Sequence, residues 1–78
     1  MNFNDQRALE RLPDQIAALQ ARIASLNAIM ADPDLYARDP ARFSATTEGL
    51  AAAQAELAAA EEHWLNLEIQ REELDLQT

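Results

Sequence analysis

Residues 9–30 read LERLPDQIAALQARIASLNAIM, and their large apolar side chains recur at alternating intervals of three and four residues. The positions are Leu9, Leu12, Ile16, Leu19, Ile23, Leu26 and Met30. This is an a/d heptad pattern, which places the apolar residues along one stripe of a helix. The stretch therefore predicts a coiled-coil helix whose stripe packs on a second helix.

The second half of the chain continues the same alternation with smaller side chains. Its positions are Phe43, Thr46, Leu50, Ala53, Leu57, Ala60, Trp64, Leu67, Arg71 and Leu74. Small residues on a stripe let two helices approach closely and leave room for larger side chains opposite. Two amphipathic helices joined by a short connection pack antiparallel. The predicted fold is therefore all-α, a two-helix antiparallel coiled-coil hairpin.

Prolines mark the expected boundaries. Pro33 disfavours helical geometry at Asp32, and Asp39-Pro40 is a helix start, with a capping carboxylate followed by proline at the first helical position. Pro13 lies inside the first run, where its ring clashes with the carbonyl four residues earlier, and it therefore predicts a kink. We expect one domain over residues 1–78. It comprises a helical segment at about 4–12, a helix at about 13–31, a tip at about 32–39 and a helix at about 40–74.

The register follows from the position of the tip. With the tip centred near Tyr36, facing seam residues are expected to have numbers that add to about 73. Every pair is then apolar, which makes the register self-consistent. The pairs are Met30–Phe43, Ile23–Leu50, Ile16–Leu57 and Leu9–Trp64, with Arg11 near Glu61 and Glu62 at the rim.

Composition limits the partners. The formal net charge is −8, all six basic residues are arginine, and there is no lysine. Surfaces that bind phosphate cluster Lys and Arg, so this balance counts against tight nucleic-acid binding. The absence of Cys leaves no disulfide or thiolate metal site and fits a cytoplasmic protein. No stretch approaches the roughly 20 apolar residues that span a bilayer, so we expect no membrane partner.

No constellation of residues predicts catalysis. Glu61-Glu62 and Glu72-Glu73 are neighbours on a helix, and their side chains point about 100° apart. They therefore do not form an acid/base pair in a cleft and are typical of a solvated helix face. There is no Gly-rich loop to cradle phosphate, and His63, the one histidine, is expected to lie on the surface. We expect a chain that is not an enzyme, with no catalytic residue, metal ligand or cofactor of its own.

Arginines and the tip tyrosine are the candidate contact residues. Tyr36 either closes the tip or stacks on an unpaired base, whereas Trp64 lies on the seam, where core packing is the favoured role. Phosphate contact would fall to arginines of the first helix and the tip, giving weak binding. The candidates for contact with a nucleic acid or another partner are Arg7, Arg11, Arg22, Tyr36, Arg38 and Arg42.

Several blocks, in order along the chain, resemble one known family. They are Asn4–Pro13, Ile16, Ala31–Tyr36, Asp39-Pro40, Phe43 and Ala60–Glu68. Together they resemble the C-terminal coiled-coil domain of ABC-F ATPases of the Uup type, from Phe3 to Glu72. The resemblance implies a parent with two ATPase cassettes that use ATP and Mg, acts on ribosomes or nucleic acid, and carries a C-terminal hairpin associated with DNA binding.

For this chain, the resemblance implies a non-catalytic accessory domain that contributes DNA or ribosome-associated binding beside the ATPase cassettes of its parent. No Walker A loop or signature motif is present, so ATP and Mg belong to the parent. Met1 directly before the family-like start favours an excised domain. Family hairpins commonly carry lysines, and this chain has none. The alternative is a protein-interaction or oligomerisation coiled coil with no nucleic-acid role, and homo-oligomerisation stays open.

Overall fold

Three helices make up the described part of the chain in this computed structural model, which covers residues 1–77. They are α1 (Phe3–Met30), α2 (Leu35–Arg38) and α3 (Pro40–Gln77), and no strand occurs among these residues. The all-α prediction is confirmed. Thr78, which the predicted domain includes, lies outside the described residues. The molecule is a rod of 61 × 17 × 14 Å, and no helix within residues 1–77 is long and apolar enough to cross a membrane.

Helix α1 runs unbroken through Pro13, which corrects the predicted division into segments at 4–12 and 13–31. The helix begins at the cap residue Asn2, whose side chain accepts a hydrogen bond from the Asp5 N–H at 2.8 Å. Pro13 lacks an N–H and removes one helical hydrogen bond. Leu12 directly before it is only 4 % exposed, and Ile16 after it is half-buried. Packing on α3 therefore holds the helix together across the proline.

The connection between the long helices contains an ordered helical turn. The Asp32 carboxylate accepts from the Asp34 N–H at 2.9 Å, which sets the chain up for α2. Within α2, Leu35 is 2 % exposed and plugs the tip. Asp39 then caps α3 by accepting from the Arg42 N–H at 3.1 Å. The tip is thus built from local carboxylate caps around one buried leucine.

The core is a narrow seam between α1 and α3. Its buried members are Leu12, Thr46, Ala53 and Leu67, and the remaining large seam residues up to Trp64 are half-buried. Ala53 is 0 % exposed, so this small seam residue of α3 is completely covered by its neighbours. Two helices without a third layer can cover only one stripe each, which explains the half-buried flanks.

Residues near the start of α1 lie beside residues near the end of α3. Leu9 lines a groove together with Leu74, and Ile16 lines another with Trp64. The Cβ position of Gly49 lies 3.8 Å from a Leu26 methyl group, so the numbers of these facing residues add to 75, close to the predicted sum of about 73. The pairing of Leu9 with Trp64 stays a prediction.

At the tip end of the seam, the Met30 sulfur lies 4.0 Å from the Thr47 hydroxyl. Thr47 follows Phe43, the partner predicted for Met30, by one helical turn. Phe43 also contacts Tyr36 of α2, so the first turns of α3 meet both of the preceding helices.

Candidate nucleic-acid interface

The three arginines of α1 lie on one stripe of that helix. At ~100° per residue, Arg7, Arg11 and Arg22 fall within an arc of about 60°. All three are exposed, and none makes an ion pair with an acidic side chain of residues 1–77. The Arg7 guanidinium lies 5.5 Å from the centre of the Phe3 ring, a cation–π contact that steadies the side chain without neutralising it.

His63 of α3 joins two of these arginines in a groove between the helices. The groove is lined by Arg7, Arg11 and His63, together with the amides of Asn4 and Gln15. No carboxylate is among its lining residues. From the sequence alone, His63 is an isolated surface residue. Only the packing of the two helices shows that the flank of α3 that carries His63 faces the arginines. We call Arg7, Arg11, Arg22 and His63 the cationic face.

Acidic residues limit the cationic face. A second groove adjoins the first at Gln15 and is lined in part by Glu56, which places a carboxylate between Arg11 and Arg22. Asp14 follows Arg11 by three residues, so it lies near the outer edge of the same stripe. The face therefore carries a local excess of positive charge, concentrated at Arg7 and Arg11.

The tip offers a less effective phosphate contact than predicted. The Arg38 guanidinium is paired with the Asp32 carboxylate at 2.6 Å. The Asp34 N–H hydrogen bond, and then the Arg38 guanidinium, hold the pKa of Asp32 below its ordinary value. Asp32 is therefore charged at neutral pH and offsets Arg38. Arg42 is the tip arginine without an acidic partner among the described residues.

Tyr36 lies in the tip, where it contacts Phe43 and also stays exposed. Its ring packs edge-on against Phe43 at a centroid distance of 5.2 Å, which helps to close the tip. The side chain nevertheless stays 66 % exposed, so its ring remains open to a stacking partner. Leu35 is the buried residue of the tip.

The structure divides the six predicted contact residues into two separate groups. Arg7, Arg11 and Arg22 lie along α1, whereas Tyr36, Arg38 and Arg42 lie at the tip. The predicted rim pairs of Arg11 with Glu61 and Glu62 do not form within residues 1–77. Those two glutamates instead line a groove with Pro13 and Gln20, on the other flank of the seam from His63.

The described residues contain neither a cluster of metal-ligating side chains nor a glycine-rich loop. Within residues 1–77, no group of three or more His, Cys, Asp or Glu side chains could hold a metal ion. The single glycine, Gly49, lies inside α3 with its Cβ position facing Leu26, not in a phosphate-binding loop. The arrangement can therefore present charge and apolar surface to a partner.

The sequence matches the model of a known family. The family model described as the ABC transporter C-terminal domain matches residues 1–69. That range contains α1, α2 and most of α3. No curated protein and no solved structure matches the chain.

Proposed function

Because this chain belongs to the family of ABC transporter C-terminal domains, we propose that it is the non-catalytic accessory domain of an ABC-F ATPase and binds nucleic acid through its cationic face. The two long helices act as an antiparallel coiled coil that holds the arginines of α1 in line. The ATPase cassettes of the parent, in the cytoplasm, bind ATP and Mg. DNA is the favoured ligand, and a ribosomal RNA surface offers the same phosphate chemistry.

One observation carries this proposal: Arg7, Arg11 and His63 line a groove that no carboxylate shares. Guanidinium groups donate paired hydrogen bonds to phosphate oxygens. Arginines one turn apart lie on the same side of a helix, so both can reach one stretch of backbone. In a chain of net charge −8, such a groove is where a phosphate meets the least repulsion.

The binding should be weak and salt-dependent. Each phosphate neutralised adds about 0.9 to the slope of log affinity against log salt concentration. Three arginines opposed by Glu56 give a slope below about 3 and micromolar or weaker affinity at physiological salt. The exposed ring of Tyr36 would add stacking on an unpaired base, worth roughly 1–3 kcal/mol.

The test is a low-salt titration of the chain with duplex DNA, single-stranded DNA and ribosomal RNA. Arg7→Glu/Arg11→Glu should weaken binding about tenfold or more. The matched control is Arg38→Glu/Arg71→Glu, which changes the net charge equally but alters arginines already paired with Asp32 and Glu68. The control should lose much less affinity, and circular dichroism should show both variants folded.

The alternative function, a protein-interaction or oligomerisation coiled coil, predicts a different result. Equal losses in both double variants would show a general charge effect rather than a site. No binding by the unmodified chain at low salt would leave protein interaction as the function. A gain of binding in His63→Arg would support the cationic face, since that residue lies opposite Arg7 and Arg11 in the groove.

A further inference from the structure

The flank of the seam opposite the cationic face carries exposed apolar side chains. Leu65 and Ile69 are 53 % and 44 % exposed and lie one turn apart on α3. Leu65 lines a groove whose apolar walls come from Ile16 and Trp64. At ~100° per residue, the side chains of His63 and Leu65 point about 160° apart around the helix axis. The two faces are therefore separate surfaces.

This second surface is acidic at its rim. Glu61 and Glu62 line the same groove as Leu65, and no arginine is among the lining residues. Pro13 also lines it and has no N–H, so the Leu9 carbonyl receives no helical hydrogen bond and remains an acceptor. We call Glu61, Glu62, Leu65 and Ile69 the acidic apolar face.

We propose that the acidic apolar face binds a cationic amphipathic helix of another protein. Such a helix presents apolar side chains at intervals of three and four residues to a groove. Lysines or arginines beside that stripe would meet Glu61 and Glu62, so charge complementarity selects this occupant. The proposal concerns the flank away from Arg7 and Arg11 and does not depend on nucleic-acid binding.

A second copy of the chain fits this face less well. Each copy carries a net charge of −8, and a symmetric contact through this face would bring the glutamates of both copies together. Like charges that face each other across an interface oppose association. A cationic helix relieves that repulsion, whereas self-association increases it.

Trp64 makes the proposal directly measurable, because it is the only tryptophan and lines the groove. The probe is a synthetic helical peptide with leucines on one stripe and lysines beside it. Its titration should change Trp64 fluorescence saturably, with a Kd below about 100 µM. The same peptide with glutamates in place of the lysines should not bind.

Two variants locate the site. Leu65→Ser/Ile69→Ser replaces exposed residues, so the fold should survive, and peptide binding should fall about tenfold or more. Glu61→Gln/Glu62→Gln should weaken binding severalfold and reduce its salt dependence. Glu48→Gln, an exposed glutamate of α3 that does not line this groove, is the control and should bind like the unmodified chain.

Several outcomes would overturn the proposal. They are no binding of the lysine peptide, equal binding of the glutamate peptide, and unchanged binding in Leu65→Ser/Ile69→Ser. Sedimentation that shows self-association lost in the same variant would assign the face to a second copy instead. Arg7→Glu/Arg11→Glu should not weaken peptide binding, which keeps this test separate from that of nucleic-acid binding.

Discussion

The Tyr36 ring meets the Phe43 ring edge-on, with centroids 5.2 Å apart and ring planes at 84°. This contact ties α2 to the first turn of α3. At the end of α1, the Met30 sulfur lies 4.0 Å from the hydroxyl of Thr47, one turn after Phe43. The aromatic pair therefore lies one turn from a contact between the two long helices.

Phe43→Leu should lower the free energy of unfolding because it keeps an apolar side chain but removes the aromatic pair. The expected loss is about 0.5–1.5 kcal/mol beyond the change in buried area. Tyr36→Phe retains the ring contact and is the control, with an expected change within about 0.5 kcal/mol. Urea unfolding followed by circular dichroism measures both. Equal stability of Phe43→Leu and the unmodified chain would show that the aromatic pair does not hold the tip.

Gly49→Ala should stabilise the chain. Gly49 lies inside α3 without a positive φ angle, and a Cβ there would meet the Leu26 methyl groups at 3.8 and 3.9 Å, an ordinary contact. Alanine removes backbone freedom from the unfolded chain, so the expected gain is about 0.5–1 kcal/mol. A rise in Tm checks it. A fall in Tm would mean that α1 and α3 approach more closely at this point.

Pro13→Ala should also stabilise the chain, since it restores an N–H that can donate to the Leu9 carbonyl. Proline inside a helix costs about 3 kcal/mol relative to alanine, and the exposed Pro13 ring contributes little packing to offset that cost. We expect a gain of about 1–3 kcal/mol by chemical denaturation. Pro40→Ala is the control, because proline is well tolerated at the first position of a helix. An equal effect in both variants would contradict this explanation.

Asp32 should stabilise the tip at neutral pH and lose that effect in acid. The Asp34 N–H hydrogen bond, and then Arg38, lower the pKa of Asp32. A carboxyl group with a lowered pKa in the folded state stabilises it above the unfolded pKa of about 3.9 and loses this contribution as the pH falls through the lowered pKa. The Tm difference between the chain and Asp32→Asn should therefore shrink from neutral pH into acid. A difference independent of pH would mean that the charge of Asp32 plays no part.

Much of the candidate site was visible in the sequence as a set of residues, though not as an arrangement. Arg7, Arg11 and Arg22 share a stripe because helical periodicity alone places them there. The partner across the groove, His63, could not be assigned in advance, because its flank depends on how two helices pack. Nor could the pairing of Arg38 with Asp32 be read from composition, since it depends on the backbone path through the tip.

The sequence by itself determined that two long stretches are helical, the boundary at Asp39-Pro40 and the family, because heptad spacing, capping and motif order are local properties of the chain. The tertiary structure decided the continuity of α1 at Pro13, the register, and the separation of a cationic face from an acidic apolar one. A seam repeated every seven residues is satisfied by several registers of nearly equal apolar contact. The short connection through α2, which packs on α3 through Tyr36 and Phe43, limits which of these registers the chain can adopt.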